Sequence, residues 1–245
     1  MIIAFPLHCA PMIAMRFLAL CCVAAMLAGC KPQAVQLPAS AFTGEKVLRY
    51  TFQVAETGFD PVKISDYYSH TIISGIFDPL LTYDYLARPA KLVPNTAMAL
   101  PEITPDGKTY TLRVKPGIFF TPDAVFKGKT RELTAEDYVY SIKRFIDPAN
   151  RSPNAFMFAG KIVGLDELAA QASKAGRFDY DARVDGLAAP DRYTLRIQLK
   201  DTDFNFSHVL AFSLSGAVAR EVIEAYGNDT NAHPVGTGPF FLKHY

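Results

Sequence analysis

The sequence predicts an α+β fold in which strands and helices are mixed without a regular βαβ rhythm. Three observations carry this. Strictly alternating apolar stretches occur at 48–54, 110–114 and 193–199, the period of half-buried strands. Stretches of helical period stand between them, near 65–77, 135–146, 165–175 and 217–226. Half of the 245 residues are apolar, enough to bury a core and unlike the composition of a disordered chain. The mixture argues for a mixed sheet with packed helices rather than a barrel. No internal repeat is present.

The N-terminus is an address. Residues 1–14 are read as an upstream start, because Pro6 and Pro11 interrupt them and Met15 begins a better leader. Met15-Arg16 is followed by the uncharged run Phe17 to Gly29, a short positive region and then an apolar one of signal-peptide length. Leu27-Ala28-Gly29-Cys30 resembles the bacterial lipobox. Small residues there admit a peptidase, and the cysteine sulfur is the atom that receives lipid. The bland alternative is a buried cysteine in an N-terminal helix. We expect a lipoprotein signal over 1–29 and lipidation at Cys30, with several acyl chains giving a firm anchor. Residues 30–45, rich in Pro, Gln, Ala and Ser, read as a tether, so the folded part begins near Lys46.

The four cysteines, Cys9, Cys21, Cys22 and Cys30, all precede residue 31. The folded part therefore has no disulfide and no thiolate metal site, which suits an oxidising compartment. Arg16 is the only formal charge before Cys30, and the remaining 24 basic and 24 acidic residues balance. Such a balance lacks the basic footprint of a nucleic-acid binder.

In chain order, Leu48, Tyr50, Phe52 and Val54 predict a first strand, ended by Ala55-Glu56-Thr57-Gly58. A helix from Ser65 is carried by Tyr68, Ile72 and Ile76 and stopped by Asp78-Pro79. Pro105-Asp106-Gly107 predicts a hairpin turn into the strand of Tyr110, Leu112 and Val114. Thr134-Ala135-Glu136-Asp137 is capping-box-like, and its helix buries Tyr138, Ile142, Phe145 and Ile146. A helix over Leu165–Ala175 is capped by Gly176. The strand of Tyr193, Leu195, Ile197 and Leu199 follows Pro190-Asp191. A helix over Ala217–Tyr226 ends at Gly227, and Gly236-Thr237-Gly238-Pro239 leads into a short strand, Phe240 to Leu242.

Reaction chemistry is missing. No nucleophile elbow, zinc-protease motif or Walker A run occurs. His70, His208, His233 and His244 have no partners at metal-ligand spacing, so neither metal nor cofactor is expected. Gly236-Thr237-Gly238 reads as a tight turn rather than a phosphate cradle, because Pro239 removes a donor where one would be wanted. Asp179-Tyr180-Asp181 reads as a solvated loop, and Lys127, Lys129 and Arg131 as a solvated face. Tyr67, Phe156 and Phe158 fall outside the apolar stripes and are candidates to line a pocket.

Five segments resemble family 5 extracytoplasmic solute-binding proteins, the dipeptide and oligopeptide receptors of ABC importers. VLRYTFQVAETGFDP (47–61) is similar to the family's opening strand and its Asp-Pro turn, and GIFDPLLTYD (75–84) to the helix end that follows. DGKTYTLRVKPGIFF (106–120) resembles the family hairpin, LTAEDYVYSIKRFIDPANRSP (133–153) the next helix, and HPVGTGPF (233–240) the Val-Gly-Thr-Gly-Pro turn. They occur in family order over nearly all of 47–245. Two departures stand out. Phe120-Thr121-Pro122-Asp123 and a Lys/Gly-rich insertion replace the family's Phe-x-Asp-Gly turn, and family members are much longer.

The resemblance implies a type II periplasmic binding protein-like fold. Its first lobe would comprise 46–90 and 186–245, and a small extra domain 91–185. A second lobe, expected after Gly-Thr-Gly-Pro, is missing, so the chain is read as an N-terminal part. The resemblance also implies a non-enzymatic receptor that passes peptides to ABC permease and ATPase subunits. Two lobes would close on a peptide whose regular backbone groups are paired as at a sheet edge. We expect Glu56, Thr57 and Gly58, at the end of the first strand, to meet the ligand main chain, with Glu56 near a ligand amine. Asn154 and Phe156 are expected to contribute from the Ser152–Phe156 segment. Alternative ligands are an oligosaccharide, an opine or a metal chelate. An exported hydrolase and a purely structural lipoprotein are the readings from other classes.

Overall fold

In a computed structural model, residues 48–244 are described. The expected signal peptide, Cys30 and the tether lie outside the described residues. The chain divides into two compact units, residues 1–51 and 52–245. The described part of the first, residues 48–51, is exposed and belongs to no helix or strand.

The second unit is built on a four-stranded antiparallel sheet in the order β3-β4-β6-β5: Glu102–Ile103, Thr109–Arg113, Thr194–Gln198 and Leu187–Ala188. The alternation fixes the register. Tyr110 faces Ile197 and Leu112 faces Leu195, so the buried side chains of β4 and β6 share one side of the sheet. β3 and β4 are joined through the expected turn at Pro105–Gly107. The strands of this one sheet come from both sides of the boundary expected at 185/186. A separate two-stranded ribbon pairs β1 (Leu81–Tyr83) with β2 (Leu92–Pro94).

Helix α2 (Ala135–Ile146) packs against β5 and β6. The capping box forms as expected: Asp137 Oδ2 accepts from Thr134 N at 2.8 Å and from its hydroxyl at 2.9 Å. The apolar stripe of Tyr138, Ile142, Phe145 and Ile146 is buried, but so is the opposite face, with Lys143 and Arg144. Each buried cation has its own partners. Lys143 Nζ donates to the carbonyls of Tyr180 (2.8 Å) and Ala182 (2.9 Å), and Arg144 forms a two-bond ion pair with Asp60, at 2.9 and 2.8 Å. Helix α3 (Leu165–Ala175) ends on Gly176 as the sequence indicates.

Four expectations are corrected. The alternation at 48–54 forms no strand and joins neither sheet, and Leu48 is 90% exposed. Alternation describes a strand only where a neighbouring strand and a covering layer exist. The last helix, α5, spans Arg220–Tyr226 and starts three residues later than expected, because Ala217–Ala219 runs extended and buried. There Val218 N donates to Ser141 Oγ of α2, a tertiary bond in place of a helical one (2.9 Å). Phe240–Leu242 is not a strand; Phe240 N donates to Gly75 O (3.0 Å), while its ring is 68% exposed. Phe158 is a core residue and not part of the cavity wall. It is fully buried, with ring centroids 5.1 Å from Phe145 and 6.3 Å from Phe206 of the single-turn helix α4 (Phe206–Val209).

Candidate functional site

Helix α1 (Tyr67–Ile73) and the loops 152–158 and 212–214 line an open cavity of about 370 Å³. Asp66 places the helix. Its Oδ1 accepts from Ser69 N at 2.8 Å, the bond of an N-cap aspartate. Its Oδ2 accepts from the Thr57 hydroxyl. Partial burial alone would raise the Asp66 pKa, but the hydrogen bonds from Ser69 and Thr57 outweigh it and hold the carboxyl well below the usual range. One turn on, His70 stacks on Phe212 (4.8 Å between centroids), and its Nε2 lies 2.8 Å from Ser213 Oγ. Burial pushes the His70 imidazole below its ordinary pKa, which favours the neutral ring at pH 7.

The apolar part of the lining comes from Ile64, Leu214 and three aromatic rings, those of Tyr67, Phe156 and Phe212. Tyr67 and Phe156 are 72% and 70% exposed, so their faces are open to whatever enters. Asn154, by contrast, is buried. Its Nδ2 donates to Ile64 O at 2.7 Å, tying the 152–158 loop to the segment that leads into α1. Replacing Asn154 with alanine should cost about 1–3 kcal/mol, because Ile64 O would lose its partner in a buried place. Urea denaturation measures that loss directly.

The structure brings some of the expected residues together and separates others. Asn154 and Phe156 both line the cavity, and Thr57 is joined to it through Asp66. Thr57 N already donates to Ser69 Oγ at 2.9 Å, so that amide is not presented to a ligand. Glu56 is half-buried. Gly58 belongs to a different neighbourhood, because Asn231 Oδ1 accepts from the next two amides, Phe59 N (3.1 Å) and Asp60 N (3.2 Å). Its φ of +142° and the Asn231 amide, 2.7 Å from where a Cβ would sit, require glycine. The sequence reading missed Asp66, His70 and Phe212. An aspartate before a helical period is a legible cap signal; nothing in the sequence links Phe212 to α1.

Among the described residues no group of three or more His, Cys, Asp or Glu side chains is arranged to hold a metal ion. No helix among them is long and apolar enough to cross a membrane.

Residues 91–245 match the model of the bacterial extracellular solute-binding proteins, family 5. The chain belongs to this family. It is 25% identical over 220 residues to di/tripeptide-binding protein 2 of Pseudomonas aeruginosa, covering 82% of this chain and 36% of that protein. It is 29% identical over 225 residues to the periplasmic oligopeptide-binding protein OppA of Escherichia coli, covering 90% of this chain and 38% of that one. In fold it resembles Listeria monocytogenes OppA bound to peptide, with a TM-score of 0.67 at 22% identity over 83% of this chain and 37% of the other. The fold is therefore that of type II periplasmic binding proteins, and this family 5 chain spans 27% to 38% of the length of the curated relatives it matches.

Proposed function

We propose that this protein captures peptides outside the cytoplasmic membrane for an ABC importer. The observation that carries the reading is its kinship, over most of its length, with proteins named for binding di-, tri- and oligopeptides. The open cavity beside α1 supports it: apolar walls with a few fixed polar groups are what a small ligand site requires. In this reading Asn154 holds the loop that presents Phe156, and Asp66 and Thr57 fix the opposite wall. Glu56 and Gly58 are proposed to offer backbone groups to the ligand main chain. A second lobe, in the whole protein, would close over the peptide. The partners would be a permease and an ATPase. A leader over 1–29 and lipid on Cys30 would hold the receptor at a bacterial membrane through the tether.

Isothermal titration of the full chain with pooled tri- and tetrapeptides tests the reading. Saturable heat is expected with peptides and not with oligosaccharides or nickel chelates. Binding of a sugar or chelate in place of peptides would overturn the peptide assignment and leave the fold untouched.

A further inference from the structure

We infer that the cavity beside α1 is a side-chain subsite that selects a basic residue of the captured peptide, lysine or arginine, against an acidic one. This rests on the peptide-capture reading and sharpens it. The lining holds a single formal charge, the carboxylate of Asp66. The closest bonds to Asp66 come from Ser69 N at Oδ1 and from the Thr57 hydroxyl at Oδ2, and the Ser69 hydroxyl and the Thr57 amide also help to hold the carboxylate. A carboxylate offers about four lone-pair positions and the close bonds take one on each oxygen, so both oxygens retain capacity for a ligand donor. His70 is turned to Ser213, and burial lowers its pKa and so favours the neutral ring, which supplies no countercharge for a ligand carboxylate.

The walls match the other half of a basic side chain. Lysine and arginine carry long apolar stems that lie along apolar surface while the charged head seeks a partner. Tyr67, Phe156 and Phe212 provide ring faces for such a stem, and a cation over a ring gains further from the ring quadrupole. A cavity of about 370 Å³ admits either side chain whole. A glutamate entering it would lose water, meet Asp66 as a like charge and find no cation among the lining residues.

The test is a titration series on the full chain with tetra-alanine and with tetra-alanine carrying one Lys, Arg, Gln or Glu at each position in turn. At one position the Lys and Arg peptides are expected to bind at least tenfold more tightly than the Glu peptide, with Gln between. Asp66→Asn keeps a side chain that caps α1 equally well, so it isolates the charge. It should shrink the Lys-to-Glu ratio at that position at least fivefold, whatever it does to tetra-alanine affinity. Phe156→Ala should weaken the Lys, Arg and Gln peptides together, by removing the wall their stems share. Lys and Glu peptides binding within twofold at every position, or a ratio unchanged in Asp66→Asn, would overturn the subsite while peptide capture stands. Failure of all these peptides, tetra-alanine included, would overturn both.

Discussion

Arg144→Met is expected to lower the stability of the folded unit by about 3–5 kcal/mol, the cost of leaving one member of a buried ion pair without its partner. Arg144 and Asp60 are both nearly inaccessible to water, at 3% and 1% side-chain exposure, and meet through two parallel bonds. Methionine fills much of the same volume but leaves the Asp60 carboxylate uncompensated inside the protein. Burial works against the Arg144 charge, yet the Asp60 carboxylate outweighs it and raises the guanidinium pKa. Arg144 Nε is buried without a partner, so the pair itself is incompletely satisfied. The double replacement Asp60→Leu with Arg144→Met should therefore cost less than Arg144→Met alone. Urea midpoints for the three variants decide this. A single-variant loss under about 1 kcal/mol would mean that the pair is open to water.

Gly236→Ala should be nearly as damaging, at about 3 kcal/mol or more, for a steric rather than an electrostatic reason. A Cβ at Gly236 would fall inside the contact distance of Ile76 O, and that carbonyl is held in place because it accepts from Gly238 N (2.8 Å). The backbone of the Gly-Thr-Gly-Pro turn lies directly on the turn that follows α1, at Gly75 and Ile76, and neither chain can retreat without breaking that bond. Thr237→Ala, in the same turn, removes the hydroxyl that donates to Asp78 Oδ2 (3.2 Å) together with one methyl, and should cost about 1 kcal/mol. Hydrogen exchange gives a second readout: the amides of Gly238 and Phe240 should lose protection in Gly236→Ala and keep it in Thr237→Ala.

The elements legible in the sequence are those whose signals are local. The capping box at Thr134, the glycine after Ala175 and the alternation of Tyr110–Val114 and Tyr193–Leu199 each specify a backbone conformation within a few residues. The structure reproduces them nearly to the residue. The alternation at 48–54 and the apolar run at 240–242 carry the same kind of signal, yet no sheet of the described residues accepts them. The three-residue strands of the β1–β2 ribbon are too short for any period to show. The cavity was legible only in part for a related reason. Its walls come from residues near 66, 154 and 212, and nothing local marks three such distant segments as neighbours. Phe158 shows the reverse error: an aromatic outside a stripe can be the centre of a core when its turn points inward.

The β4–β6 pairing has a consequence for when this unit can form. Arg113 pairs with Thr194 across a stretch of roughly 80 residues that contains α2 and α3. Closing that loop is entropically unfavourable until the strand that rewards it is present, so non-local pairings of this kind set a slow pace. A chain emerging N-terminus first has α2 and α3 available early, while the sheet that α2 packs against stays open until residues near 198 arrive. Through that interval Tyr110, Leu112 and the inner face of α2 would stand in water together. If the chain is exported before it folds, such a delay keeps it threadable, and the same delay makes the half-emerged chain the species most in need of a chaperone.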